Sequence, residues 1–279
     1  MQRIEPQRLD LLSEVIAYYQ RGGEAQRLLT GVGRLEFART QELVLRYLPR
    51  PPAVVLDVGG GPGLYACWLA QLGYEVHLVD AAPLHVQQAC EASRLQPDHP
   101  IASCAVGDAR QLHVGDGTVD CVLLLGPLYH LPGRSDRVAA LREARRALRV
   151  GGVLLAAAIS RYASALDGLL GESLLNPDFA AIVERDLVDG QHRNPHPDRD
   201  YFTTAFFHDP AELAAEVAEA GFADGQILGI EGPGWLMQDL DARWKDAARR
   251  DVILKTARDL EAVPSLAGLS SHILAVALA

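Results

Sequence analysis

The chain has 279 residues, 49% of them hydrophobic, and its 36 Asp and Glu outnumber 26 Lys and Arg for a formal net charge of −10. That length and composition suit one large α/β domain with insertions. The acidic excess argues against nucleic acid as the main partner, since phosphate binding requires a positive field, and no run of about 18 apolar residues is present to span a membrane.

The N-terminal stretch MQRIEPQRLDLLSEV is charged and lacks the apolar core of a signal peptide. Residues 7–20 and 24–48 have helical spacing; Leu35, Leu43, Leu45 and Leu48 mark an apolar face, and Pro49 to Pro52 stop the second helix. Tyr18, Tyr19, Arg34 and Arg39 are the side chains this section would use as a lid, an arginine being suited to a ligand carboxylate.

Val54-Val55-Leu56 then opens a strand, followed by Asp57, a turn with Gly59, Gly60, Gly61 and Gly63, and a helix whose Leu64, Cys67, Trp68 and Leu72 are expected to face the sheet. Strand, glycine turn and helix form the element that holds a nucleotide-type cofactor at the carboxyl edge of an open α/β sheet. Gly61-Pro-Gly63-Leu-Tyr-Ala66 fits the dinucleotide fingerprint, while Asp57-x-Gly59-x-Gly61-x-Gly63 fits a second pattern.

Glu75 to Asp80 reads as a second strand ending in an acid 17 residues beyond Gly63, close to the spacing at which a carboxylate accepts from ribose hydroxyls. A helix over 84–95 and a third strand over 101–106 lead to Gly107-Asp108-Ala109-Arg110. The turn Asp116-Gly117 precedes a strongly apolar fourth strand, Val119 to Leu125, which ends in Gly126-Pro-Leu-Tyr-His-Leu131. Ser135 is placed to cap a helix over 136–148, whose arginines Arg142 to Arg149 read as a solvated face, and Val150 to Ile159 form a turn and fifth strand.

From 160 to 207 the alternation breaks: helices over 163–170 and 178–189, a proline-broken polar segment over 190–200, then Tyr201 to His208. Long insertions at a ligand-bearing edge often form lids or substrate walls. A helix over 210–220 ended by Gly221, a sixth strand over 222–230, an amphipathic helix within 235–261 carrying Trp235 and Trp244, and a last strand, His272 to Leu278, complete the chain. Cys67, Cys90, Cys104 and Cys121 form no C-x-x-C pair and are expected to be reduced core residues of a cytoplasmic protein.

The set Asp57, Gly59, Gly61, Gly63, Asp80 and Asp108, with the phrase ALREARRALRVGGVLLAAAI, resembles the class I S-adenosylmethionine-dependent methyltransferases of the ubiquinone/menaquinone-biosynthesis type. The resemblance covers residues 53–160 well and 208–230 more loosely. It implies a Rossmann-like, doubly wound sheet of seven strands, mostly parallel with one antiparallel strand. Helical inserts would make an N-terminal lid (1–50), a cap over the substrate (160–207) and an excursion (231–271) before the last strand. It implies S-adenosylmethionine as cofactor, with S-adenosylhomocysteine as product, bound by Asp57, Gly59, Gly60, Gly61 and Gly63. Asp80 would hold the ribose, Asp108 and the Ala109 amide the adenine, and the Leu125 and Gly126 backbone would lie beside the methionine portion.

The expected reaction is in-line methyl transfer to an oxygen, nitrogen or carbon atom of a small molecule. A hydroxyl acceptor would gain from a base, for which His130 and His208 are the candidates. Tyr19, Tyr129, His192, Tyr201 and Phe206 are the candidate acceptor contacts, and the exposed N-terminal helices are candidates for pairing in a homodimer. No metal is expected: His192 and His196 are four apart, but Pro195 and Pro197 break the helix that would align them. Two other classes stay open, a nicotinamide-dependent oxidoreductase and a non-catalytic S-adenosylmethionine-binding protein.

Overall fold

Residues 6–196 and 201–279 are described by a computed structural model. Residues 1–5 of the N-terminal section and 197–200 of the insertion lie outside the described residues. Three helices precede the sheet: α1 (Pro6–Tyr19), α2 (Glu24–Arg27) and α3 (Gly31–Tyr47). The single helix expected over 24–48 is therefore broken. Thr30 is extended and Gly31 takes φ +53°, a left-handed conformation that interrupts helical hydrogen bonding.

Strands and helices then alternate: β1 (Val54–Val58), α4 (Leu64–Gln71), β2 (Glu75–Asp80), α5 (Pro83–Arg94), β3 (Ser103–Val106), β4 (Val119–Leu124), a 3-10 turn over Pro127–His130, α6 (Arg134–Ala147) and β5 (Leu148–Ile159). The insertion contributes α7 (Ala163–Leu170), α8 (Pro177–Asp189) and a small hairpin of β6 (Gln191–His192) and β7 (Ala205–Phe206). The chain closes with α9 (Pro210–Glu219), β8 (Ala223–Gly229), α10 (Leu240–Lys245), α11 (Ala247–Leu260) and β9 (His272–Leu278).

The main sheet has seven strands in the order β3-β2-β1-β4-β5-β9-β8. β1 to β5 pair in parallel, and β9 runs antiparallel to both β5 and β8. This is the mostly parallel, doubly wound sheet with one reversed strand. One face is packed by α3, α4 and α5 through Leu43, Val44, Leu69 and Ala89, the other by α6 and α9 through Leu141, Ala144, Leu213 and Val217. Both faces are covered, which is why β1 and β4 are apolar apart from one aspartate each, Asp57 and Asp120.

Three local expectations are corrected. The α4 residues in the sheet-packed core are Ala66, Leu69 and Ala70, with Cys67 and Trp68 partly buried against it as expected, while Leu72 lies past the helix end and is 42% exposed. Gly63, left-handed at φ +87° and pressed against Ala89, sets the rotation of that helix. Ser135 does not cap α6: the helix starts at Arg134 with Gly133 before it. The helix expected within 235–261 is split, because Asp239 is left-handed and Asp246 starts a new helix by accepting from the Arg249 amide at 3.0 Å. Among the described residues, no helix is long and apolar enough to cross a membrane, and the four cysteines are free.

Strand order reverses between β1 and β4, so the loops leaving β1, β2, β3 and β4 open a crevice at the carboxyl edge. Because β9 is antiparallel, its first residue, not its last, lies at this edge.

Candidate active site

The glycine turn after β1 is held by its neighbours. The Gly59 amide donates to the Val79 carbonyl at 2.7 Å, stitching the turn to β2. A Cβ on Gly59 would lie 2.6 Å from Pro127 Cδ, and one on Gly60 2.7 Å from Asp57 Oδ2. Gly61, at φ +55°, has no atom within 4 Å of where a Cβ would stand, so the turn leaves open space there.

Asp80 locks this turn from the next strand. It accepts from the Gly61 amide at 2.9 Å and the Ala82 amide at 2.8 Å, and its Oδ1 lies 3.2 Å from His85 Nδ1. Asp57 is fully buried and neither of its oxygens has a hydrogen-bond partner. Burial, then the nearby charge of Asp80, pushes its carboxyl up to about 7. Asp108 accepts from its own loop at the Arg110 amide (2.8 Å) and from the Arg110 side chain.

Three neighbouring cavities lie along this edge and share lining residues. The first, of about 810 Å³, has Gly59, Gly61, Asp80, Asp108 and Ala109 along its base and is roofed by Val15, Ile16 and Tyr19 of α1. The Tyr19 hydroxyl meets His130 Nε2 at 2.6 Å, and the Tyr19 ring packs edge-on against His85. Burial lowers the His130 ring to about 4, so at neutral pH it is uncharged and the Tyr19–His130 contact is a neutral hydrogen bond. The second cavity, about 1040 Å³, shares Gly59, Gly61, Gly126 and Tyr129 with the first and is walled by Asp57, Leu125, Arg27, Glu36 and His272. The third shares Arg27, Glu36 and His272 with the second and is lined by Phe179, Tyr201, Phe202, Phe207, His192 and Trp235.

The junction of the last two cavities is a compact charge cluster. Arg27 grips Glu36 with both ends of its guanidinium, at 2.6 and 3.0 Å, and Glu24 at 2.8 Å. Glu231, with no exposed surface, accepts from the Ser270 hydroxyl (2.7 Å), the His272 amide (3.0 Å) and His272 Nδ1 (2.6 Å). Burial alone would lower the His272 ring, but Glu36 and Glu231 outweigh it and push it up to about 9. Glu36, Glu231 and His272 have ligand atoms within 4.8 Å of one another, a spacing that suits a cation; Arg27 and the His272 proton supply positive charge to this cluster.

Most residues singled out from the sequence meet here. Asp57, Gly59, Gly60, Gly61, Gly63, Leu125 and Gly126 line the second cavity, Asp80, Asp108, Ala109, Tyr19 and His130 the first, and Tyr129 both. His192 and Tyr201 line the third. His192 is a braced wall: its Nδ1 meets Asp186 at 2.9 Å, its Nε2 the Tyr201 carbonyl at 2.7 Å, and its ring stacks on Phe207.

His208 and Phe206 are not brought to the cleft. His208 is fully buried, with Nε2 3.2 Å from Glu216, and Phe206 lies between its ring and the Arg137 guanidinium. The His208 amide donates to the Ile159 carbonyl, so this segment braces the end of β5. His192, His196 and His208 each face a different carboxylate, Asp186, Asp178 and Glu216. Arg39 is sealed against the Ile230 carbonyl, Glu42 and Glu261, and Arg34 pairs with the Leu29 carbonyl and Asp241. Of the arginines in the N-terminal section, Arg27 is the one that lines the cleft, which the sequence did not single out any more than Glu36, Glu231 and His272. An acid closing one strand and a histidine opening the next was the available signal for the last two.

Comparison with known proteins agrees with this geometry. Residues 56–156 match the family described as "Methyltransferase domain". The ubiquinone biosynthesis O-methyltransferase of Xanthomonas euvesicatoria pv. vesicatoria is 30% identical over 205 residues, 72% of this chain and 73% of the relative. The chain belongs to the class I S-adenosylmethionine-dependent methyltransferases. Solved structures agree on the fold of this methyltransferase. An S-adenosylmethionine-dependent methyltransferase from Mesorhizobium loti superposes with TM-score 0.57 at 16% identity, over 88% of this chain and all (100%) of that one. One from Methanosarcina mazei gives 0.54 at 20% identity, over 68% and 89%.

The side chains of the methyltransferase fit that cofactor. Asp57 offers two buried oxygens with no partner in the protein, and Gly61 leaves the turn open where a ligand would lie against backbone.

Proposed function

We propose that this methyltransferase holds S-adenosylmethionine across the first and second cavities and methylates an oxygen of a small, partly aromatic acceptor seated in the third. The observation that carries this reading is the shared lining of the three neighbouring cavities: Gly59, Gly61, Gly126 and Tyr129 border the first two, and Arg27, Glu36 and His272 border the last two. The similarity to ubiquinone biosynthesis O-methyltransferases supports oxygen as the acceptor atom. When bound, S-adenosylmethionine supplies an electrophilic methyl group on a sulfonium sulfur.

Asp80 would hold the ribose and Asp108 with the Ala109 amide the adenine. Asp57 and Arg27 offer opposite charges to the amino and carboxylate groups of the methionine portion. Leu125, Gly126 and Tyr129 would border the reacting end. Phe179, Tyr201, Phe202 and Trp235 supply apolar contact for the acceptor, the kind of lining a small-molecule site requires. α1 serves as the lid: Tyr19 on His130 closes the roof, excludes water and aligns the reactants, which is where most of the acceleration arises. His130, buried, uncharged and engaged at Nε2, acts as the anchor for that lid and not as the base.

Calorimetric titration with S-adenosylmethionine, S-adenosylhomocysteine and NAD tests the reading. Binding of the first two, weakened at least tenfold in Asp80→Ala, is expected; Asp80→Ala also frees the Gly61 amide that shapes the turn. Binding of NAD alone, or of none of the three, would overturn it.

A further inference from the structure

The proposed function leaves the acceptor proton without a destination, since His130 is capped by Tyr19 and His208 lies outside the cleft. The junction cluster offers one. From the geometry we infer that His272, oriented by Glu231, is the general base that takes the proton of an ionisable hydroxyl (a phenol or enol) entering from the aromatic cavity. This rests on the proposed function.

Glu231 ends the β8 segment and His272 begins β9, and the antiparallel pairing of those strands puts the two side by side at the cofactor edge. The Glu231 carboxylate is completely buried and saturated by three donors from the segment 270–272. It therefore cannot swing away, and it fixes the His272 proton on Nδ1. That leaves Nε2 as the ring atom with no hydrogen bond among the described residues, on a side chain 17% exposed that lines both the second and third cavities. A base held in one tautomer by a buried carboxylate, at the meeting point of two pockets, has the arrangement that activates a weak nucleophile.

In the proposed step, His272 Nε2 takes the hydroxyl proton. The freed oxygen pair forms the bond to the methyl carbon, the carbon–sulfur pair stays on sulfur, and the proton leaves His272 to solvent after the product departs. The groups facing the ring are Glu231 after β8 and Glu36 of α3, which raise its proton affinity, and Arg27 of α2, which lowers it. The base must be unprotonated to act, so kcat/KM should climb with pH and level off near the value of about 9 set by those groups.

The test uses the full chain with labelled histidine. By NMR, His272 should titrate near 9 in the wild type and at least one pH unit lower in Glu231→Gln, a readout that needs no turnover. With a panel of small phenols including catechol and 4-hydroxybenzoate, the acid limb of kcat/KM should move by the same amount in Glu231→Gln. His272→Gln should lose about 10²–10³-fold in kcat while S-adenosylhomocysteine affinity stays within threefold. An unmoved titration or acid limb, an intact kcat in His272→Gln, or S-adenosylhomocysteine binding without methylation of any phenol would overturn the assignment. If His272→Gln does not fold, the Glu231→Gln titration decides it. Loss of S-adenosylhomocysteine binding by the wild type would instead remove the cofactor reading itself.

Discussion

Replacing Asp57 by Asn should stabilise the cofactor-free protein in a way that depends on pH. Asp57 is sealed from solvent with neither oxygen paired, and its carboxyl is pushed up to about 7, first by burial and then by Asp80. In the unfolded chain it releases its proton near pH 3.9. Between those values the folded protein retains a proton that the unfolded chain has lost, so stability declines as pH rises from about 4 to about 7. The gap of about 3 pH units, at about 1.4 kcal/mol each, amounts to ~4 kcal/mol. Asn does not titrate and has nearly the same shape. Its unpaired amide hydrogens cost about 1–3 kcal/mol, but equally at every pH. Urea unfolding of both proteins without cofactor should therefore show the difference moving by ~4 kcal/mol in favour of Asp57→Asn between pH 4 and pH 8. Other titrating groups are common to both proteins and cancel. A difference that stays constant to about 1 kcal/mol across that window would refute the argument that Asp57 is an uncompensated buried acid.

Two further outcomes follow from named contacts. Arg137 is buried on Glu216 (2.6 Å) and on the carbonyls of Leu131 and Pro132, so Arg137→Met should cost about 3–5 kcal/mol by leaving the buried Glu216 carboxylate with His208 and, at 3.8 Å, the half-exposed Arg134; urea titration at pH 7 would show it. Tyr19→Phe strips the hydroxyl from buried His130 Nε2, a loss of about 1–3 kcal/mol on the closed roof; S-adenosylhomocysteine should dissociate several-fold faster in stopped flow, and an unchanged rate would mean α1 is no lid.

That Asp57, Asp80, Asp108 and the glycine turn line one cleft was legible because the signals that mark them are short-range. Asp57, Asp80 and Asp108 each stand at or just past a strand end, and Gly59, Gly61 and Gly63 all need positive φ in a single turn. Strand ends and turn chemistry leave marks within a few residues. The residues expected to contact an acceptor were not legible in the same way. His208 and Phe206 carry the same residue types as a substrate pocket, and only the burial supplied by Arg137 and Glu216 shows them to be bracing. Arg34 and Arg39 were the arginines expected to serve the cleft, whereas Arg27 is the one of this section that lines it. The left-handed Gly31 decided which arginine faces the cleft, because it ends one helix and starts another there, with Gly33 packed against the Arg27 carbonyl.

The sequence by itself determined the strands of the parallel sheet, the glycine turn, the acids at or beside the carboxyl ends of β1, β2 and β3, and with them the methyltransferase family. Period, turn propensity and motif spacing are properties of neighbouring residues, and they survive without knowledge of the fold. Only the tertiary structure decided that residues 27, 36, 231 and 272 share one junction between two cavities. That follows from the antiparallel course of β9 between β5 and β8, which turns the first residue of the last strand toward the cofactor edge. Strand direction is set by sheet pairing across more than a hundred residues (Ile159 against His272), and no local pattern encodes it.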